Sequence, residues 1–195
     1  MEICFATNNR NKIKEVWQLL MPDFSLLSLS DIGCHEELAE TQNTLEGNSL
    51  QKAQYVYQQY RIPCFADDSG LEVEALNGAP GVYSARYAGD QRNDKDNIDL
   101  LLKNLKGIQN RRASFRTIIT LIGIEKEPSI FEGQIQGKII TAPRGTNGFG
   151  YDPVFVPEGG DRTFAEMEMH EKNALSHRAK AVKKLVGYLK KINKR

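Results

Sequence analysis

Two short apolar runs, Ile3–Ala6 and Ile62–Ala66, each pass directly into polar residues, and between them apolar side chains recur at helical spacing. A brief apolar run bounded by turn-forming residues reads as a buried strand. Ile13, Val16, Trp17 and Leu20 share one face of a helix, as do Leu50, Ala53, Tyr57 and Tyr60. Pro22 closes the first of these helices. Leu26–Leu29 is a candidate second strand, and the polar, acidic stretch 31–43 a loop. Strand, polar loop and helix in alternation argue for an α/β fold.

The second half extends the pattern. Leu71, Val73 and Ala75 alternate with Glu72 and Glu74, the signature of a half-buried strand, and Asn77-Gly78-Ala79-Pro80-Gly81 is a turn cluster. Ile98, Leu101, Leu102 and Leu105 form a helix stripe that Gly107 stops. Residues 113–124 and 130–140 are long and β-branched, which predicts an antiparallel pair and hence a mixed sheet. Residues 143–153 form a Gly-rich loop, and Leu175, Val182, Leu185 and Leu189 a closing helix. Lys180, Lys183, Lys184, Lys190 and Lys191 line its solvated outer face. No repeat or low-complexity linker splits the 195 residues, so 1–195 reads as one domain.

Charge and composition remove several classes of function. Lysine and arginine number 26 against 25 aspartate and glutamate, so no global basic field recruits nucleic acid or a membrane surface. No apolar stretch approaches the roughly 20 residues that span a bilayer. The start lacks a basic region followed by a secretory apolar segment, so a cytoplasmic protein is expected. Cys4, Cys34 and Cys64 contain no C-x-x-C pair, which argues against a disulfide scaffold and a zinc site.

Four stretches could carry chemistry. In "FADDSG", Asp67 and Asp68 are adjacent carboxylates, tolerable if water screens them or a cation sits between them; a Mg²⁺ site and a solvated turn are equally good readings. Thr7-Asn8-Asn9-Arg10-Asn11-Lys12 opens a helix and could receive an anion on free N–H groups and Lys12, or could be a plain capped start. If the strands before these two stretches are neighbours, a cation and two carboxylates face each other across one crevice. In "GTNGFGYDPVF", Phe149 and Tyr151 offer faces to a base, Gly150 permits close approach, and Asp152 can accept from ring N–H groups; otherwise the aromatics tuck into the core. "EKNALSHRAKA" places Lys172, His177 and Arg178 near the start of the last helix, suited to a polyphosphate or to solvent. A metal pair, a phosphate cradle, a stacking loop and a basic clamp together describe a nucleoside triphosphate with Mg²⁺.

In the order and spacing of "ATNNRNKIKE", "FADDSGLEVEALNGAPGVYSARYAG", "NGFGYDPVF" and "EKNALSHRAKA", the chain resembles the inosine triphosphate pyrophosphatase family over nearly its full length. The resemblance implies a long curved mixed β-sheet flanked by helices, with two lobes around a central substrate cleft, and a homodimer. It implies Mg²⁺-dependent cleavage of non-standard purine nucleoside triphosphates between the α and β phosphates. Carried over, Thr7 to Lys12 match the substrate loop and Glu40 the metal-binding glutamate. Asp68, beside Asp67, matches the metal ligand and proton acceptor; Ser69 a substrate contact; Lys52 a lysine directed at the phosphates; Phe149 to Asp152 the base loop. Lys172, His177 and Arg178 match the remaining substrate contacts.

Two positions depart from the family pattern: Asn8 stands where glycine is usual, and Gly47-Asn48-Ser49 replaces Glu-Asn-Ala, with Glu46 one place earlier. The expected mechanism joins Mg²⁺ to Glu40 and Asp68. It sets Lys12, Lys52 and Lys172, with Arg178 assisting, against the charge of the leaving pyrophosphate. A pyrophosphatase directed at pyrimidine or methylated nucleotides and a non-catalytic nucleotide sensor are the competing readings.

Overall fold

The computed structural model describes residues 2–20 and 24–193. They divide into two compact units: Met1–Asp68, Thr117–Gly133 and Arg178–Arg195 in the first, Ser69–Arg116 and Gln134–His177 in the second. Along the chain the elements are β1 (Glu2–Phe5), α1 (Arg10–Leu20), β2 (Ser25–Leu27), α2 (Leu45–Tyr60), β3 (Cys64–Val73) and β4 (Pro80–Gly81). There follow α3 (Asp94–Asn104), β5 (Arg112–Ile122), β6 (Ser129–Ile139), β7 (Phe155–Pro157), α4 (Met169–Leu175) and α5 (His177–Ile192). The strands form a seven-stranded sheet in the order β2-β1-β3-β5-β6-β7, with β4 paired to β3. β1 runs parallel to β2 and β3, whereas β4 is antiparallel to β3 and β7 to β6. The sheet is therefore mixed and the class α/β, as the alternation of elements predicts.

In the first unit the strand pleat sorts side chains between two cores. Ile3, Phe5 and Phe65 lie in one cluster with Val16 and Leu20 of α1 and Val182, Leu185 and Leu189 of α5. Phe5 and Phe65 stack there, ring centroids 4.6 Å apart. Cys4, Ala6, Cys64 and Ala66 lie in the other, with Ala53 and Val56 of α2. Successive residues of a strand point to opposite faces, so a strand covered on both sides reads as an unbroken apolar run. All three cysteines are free thiols, buried in this second cluster. The core of the second unit gathers Leu71 and Val73, the α3 stripe Ile98, Leu101 and Leu105, and Phe115, Tyr151, Phe155 and Phe164.

Several sequence expectations change. The strands expected at 62–66 and 71–75 are one ten-residue strand, β3, that runs straight through Asp67-Asp68-Ser69-Gly70. The expected closing helix is two, because Ser176 is extended (φ −64°, ψ 158°) between α4 and α5. Lys172 therefore sits on α4, and His177 and Arg178 open α5. Trp17 leaves the apolar stripe of α1 and is 52% exposed. The Pro22 stop lies outside the described residues. None of the described helices is long and apolar enough to cross a membrane.

Gly70 shows why β3 can continue through a turn-like sequence. A Cβ there would stand 2.4 Å from the Gly81 carbonyl oxygen, so the absent side chain is what admits β4 against β3. Gly70→Ala should destabilise the protein by about 1–3 kcal/mol through backbone displacement, read as a lower midpoint in urea unfolding at unchanged slope.

Candidate active site

The pleat of β3 separates the two adjacent acids. Asp67 follows Phe65 at a two-residue step, and Asp68 follows Ala66, so the two carboxylates leave opposite faces of one strand. Each then has a nearest cation of its own, Lys12 for Asp67 and Lys52 for Asp68.

On the first face, Asp67 is fully buried. Its Oδ1 accepts from Lys12 Nζ at 3.0 Å and its Oδ2 from Arg178 Nε at 3.2 Å. Arg178 also donates through Nη1 to Glu15 Oε2 at 2.5 Å. The result is an alternating row, Lys12–Asp67–Arg178–Glu15, drawn from α1, β3 and α5. Burial alone would raise the Asp67 carboxyl, but Lys12, Arg178 and Lys52 outweigh it and hold the group well below the usual carboxylate range. Burial likewise works against the Arg178 charge, and Glu15 and Asp67 more than restore it. The parallel pairing of β1 with β3 brings the helix start and the acids together, as expected for neighbouring strands.

The helix start itself is capped. Asn9 Oδ1 accepts from the N–H groups of Asn11 (3.0 Å) and Lys12 (3.2 Å), and Thr7 Oγ1 accepts from the Asn9 N–H. Those amides are engaged within the loop, so its positive charge is carried by side chains: Lys12 beside Asp67, and Arg10 in solvent. Asn8 is exposed and donates to the Glu36 carbonyl.

On the second face, Asp68 Oδ2 accepts from Asn48 Nδ2 at 3.0 Å, and Asn48 Oδ1 in turn takes the Gln42 N–H at 2.9 Å. Lys52 Nζ lies 4.0 Å from Asp68 Oδ1 and donates a very short hydrogen bond to Glu40. One ammonium thus serves Glu40 and Asp68 together. Burial pushes the Asp68 carboxyl above its ordinary range; Lys52 and Lys12 pull it back, and Glu40 adds to the rise. Burial would lower the Lys52 ammonium, but Asp68, Glu40 and Asp67 keep it raised. α2 presents Asn48 and Lys52 on one face because they are four residues apart, and Thr44 caps that helix through the Gly47 N–H.

In the second unit the two aromatics of the glycine loop part company. Tyr151 is buried in the core with its hydroxyl donating to the Ser84 carbonyl at 2.9 Å. It is an anchor and offers no stacking face, because a buried phenol is held where its hydroxyl finds a partner. Phe149 is half-buried, with the Lys172 ammonium 4.8 Å from its ring centroid. Asp152 is buried too: its Oδ2 accepts from Lys172 Nζ at 2.6 Å and from the Phe149 N–H at 2.9 Å. Gly150 N–H donates to Asp94 at 2.7 Å. His177 stacks on Phe115 at 4.6 Å, and Ser69 is half-buried at the point where β3 enters this unit. Glu15 and Asp94 carry no signal of this kind in the sequence, and Asn48 stands there only within the Gly47-Asn48-Ser49 departure. For Glu15, the spacing of Lys12 and Glu15 along one helix face is the only local signal.

Comparison with known proteins places these features in context. The Ham1 family profile matches residues 3–188. The dITP/XTP pyrophosphatase of Flavobacterium psychrophilum is 53% identical over 190 residues, covering 97% of this chain and all of that protein. That of Porphyromonas gingivalis is 49% identical, covering 96% and 97%. Among solved structures, the Ham1 protein of Staphylococcus aureus superposes with a TM-score of 0.88 at 38% identity, covering 97% of this chain and 98% of that one. A HAM1 protein from Coxiella burnetii gives 0.89 at 38%, covering 98% and 99%.

The buried ion row predicts a large effect at Arg178. Arg178→Ala strands Asp67 and Glu15 in the core and should cost about 3–5 kcal/mol, measured by chemical denaturation. Arg178→Lys should recover only part of this, because one ammonium cannot reproduce a planar fork that bridges two carboxylates.

Proposed function

This chain belongs to the Ham1 family, and on that premise we propose that it hydrolyses non-standard purine nucleoside triphosphates, those of inosine, deoxyinosine and xanthosine. The products are the nucleoside monophosphate and pyrophosphate. Relatives that match the chain nearly end to end carry the name dITP/XTP pyrophosphatase. The observation that carries the reading to particular residues is the second face of β3, where Asp68 and Glu40 share Lys52. Residues 1–195 act as one functional domain in this reading, supported by a family match that runs from 3 to 188. The resemblance further implies a homodimer that clears deaminated purines from the nucleotide pool, and the expected cytoplasmic location suits that role.

Glu40 and Asp68 fit a hard divalent cation, which we take to be Mg²⁺. Both offer oxygen only, and the four carboxylates of the two faces (Glu15, Glu40, Asp67, Asp68) outnumber the three cations (Lys12, Lys52, Arg178). Among the described residues no three His, Cys, Asp or Glu side chains form a metal site unaided. That agrees with an ion that takes one or two carboxylates and completes its shell with phosphate oxygens and water. When bound, such an ion neutralises phosphate charge and activates the phosphorus toward attack.

The chain's own groups do the rest. Asp68, raised by burial and oriented by Asn48, accepts the proton of the water that attacks the α-phosphorus. Lys12 and Lys52 meet the charge that spreads onto the departing pyrophosphate. Asp67 holds Lys12 in place, and Arg178 with Glu15 holds Asp67. Lys172, set between Asp152 and Phe149, is assigned here to the base and no longer to the phosphates. Phe149 stacks on the purine, and a donor at His177 pairs with its six-keto oxygen, Arg178 being committed to Asp67 and Glu15. An adenine would leave that donor unsatisfied, which can discriminate by up to about 10⁴-fold.

Asp68→Asn should lower pyrophosphate release from inosine triphosphate by roughly 10²- to 10⁴-fold; near-native turnover would discard Asp68 as the proton acceptor. Inosine and xanthosine triphosphates should be cleaved far faster than adenosine and pyrimidine triphosphates, and guanosine triphosphate, which shares the six-keto oxygen, completes the panel. Equal rates across that panel would remove the pool-clearing role, and binding without Mg²⁺-dependent release of pyrophosphate would favour a sensor.

A further inference from the structure

The loop that carries Phe149 is tied down at two consecutive residues by one stretch of chain. Tyr151 donates its hydroxyl to the Ser84 carbonyl, and Gly150 donates its N–H to the Asp94 carboxylate at 2.7 Å. Ser84 continues the first tie into β3: its hydroxyl donates to the Gly81 carbonyl at 2.6 Å and accepts from the Leu71 N–H at 2.9 Å, two residues beyond Ser69. Asp94 is the first residue of α3, where a carboxylate is favoured by the helix dipole, and Asn93 caps the same turn through the Asp96 N–H. Buried Asn97 fastens α3 to the stretch after Ser84, accepting from the Ala88 N–H at 2.7 Å and donating to the Ala85 carbonyl at 3.1 Å. Ser69, Ser84, α3 and the aromatic loop are thereby joined into one braced assembly.

The two ties differ in kind. The Tyr151 tie is buried and belongs to the core. The Asp94 tie is exposed, charge-assisted and aimed at a residue in the left-handed region, Gly150 at φ +59°, directly after Phe149. On the other side of Phe149 its own N–H is held by the Asp152 carboxylate.

We propose that Asp94 is a positioning residue for base recognition: by holding the Gly150 N–H it sets the Phe149 ring and the Asp152–Lys172 pair in the orientation the purine requires. This rests on the assignment of residues 149–152 to the base. Asp94 touches no substrate, and the acids of the other unit keep their own partners, so its loss weakens binding of the base and spares the chemical step.

The test compares wild type with Asp94→Ala and Asp94→Asn on inosine triphosphate, with inorganic tripolyphosphate as an inhibitor that has a phosphate chain and no base. Asp94→Ala should raise KM about tenfold, the scale of one charge-assisted hydrogen bond, with kcat within about twofold and tripolyphosphate inhibition unchanged. Asp94→Asn keeps an oxygen that accepts from Gly150 and should recover most of the affinity. An unchanged KM in the alanine variant, or an equal weakening of tripolyphosphate, overturns the proposal. If the alanine chain does not fold, Asp94→Ser, which suits a helix start, makes the same comparison. A wild-type enzyme that leaves inosine triphosphate intact would instead overturn the assigned reaction, a result read before any substitution is made.

Discussion

Everything in the first unit turns on the parity of β3. Two neighbouring carboxylates in a strand are a liability only if they must share space. Because the pleat sends them to opposite sides, Asp67 enters a dry ion row with Lys12, Arg178 and Glu15, while Asp68 joins Asn48, Lys52 and Glu40. The same dipeptide therefore holds two acids of opposite temperament. One is kept ionised by three cations; the other is lifted toward proton uptake by burial. Environment divides their roles where residue type cannot.

The second unit solves a different problem, the support of a glycine-rich loop. Such a loop has little side-chain mass of its own to fix it. Tyr151 supplies an internal anchor, and Asp152 ties back to the Phe149 N–H while holding Lys172. The peptide groups on either side of Phe149 are held as well, by Asp152 and Asp94. A binding loop held from beneath by buried groups is the usual arrangement at such sites.

Much of this architecture can be read from the linear chain, and the parts that cannot share a cause. Helical spacing locates α1, α2 and α3, and the β-branched runs locate β5 and β6, because these patterns are set by neighbours three or four residues away, or two. The continuity of β3 is hidden, since Asp-Asp-Ser-Gly is also good turn chemistry and only partners elsewhere make it tolerable in a strand. Those partners are remote: Lys12 is 55 residues from Asp67, Arg178 is 111, and Arg178 reaches Glu15 across 163. No local pattern announces such pairings. Tyr151 and Phe149 look interchangeable in sequence, and only packing reveals that one is a foundation and the other a surface. For Glu40, Lys52, Asp68 and Lys172, family resemblance pointed to positions whose local chemistry alone left the matter open.

The displacement of Trp17 from the apolar stripe of α1 has a practical side. It is the sole indole of the chain, half in water, five residues past Lys12 on the same helix. The protein consequently carries a native optical probe. Its emission is that of a hydrated chromophore, open to collisional quenchers, and any event that tightens or shields α1 can be followed in the unlabelled molecule.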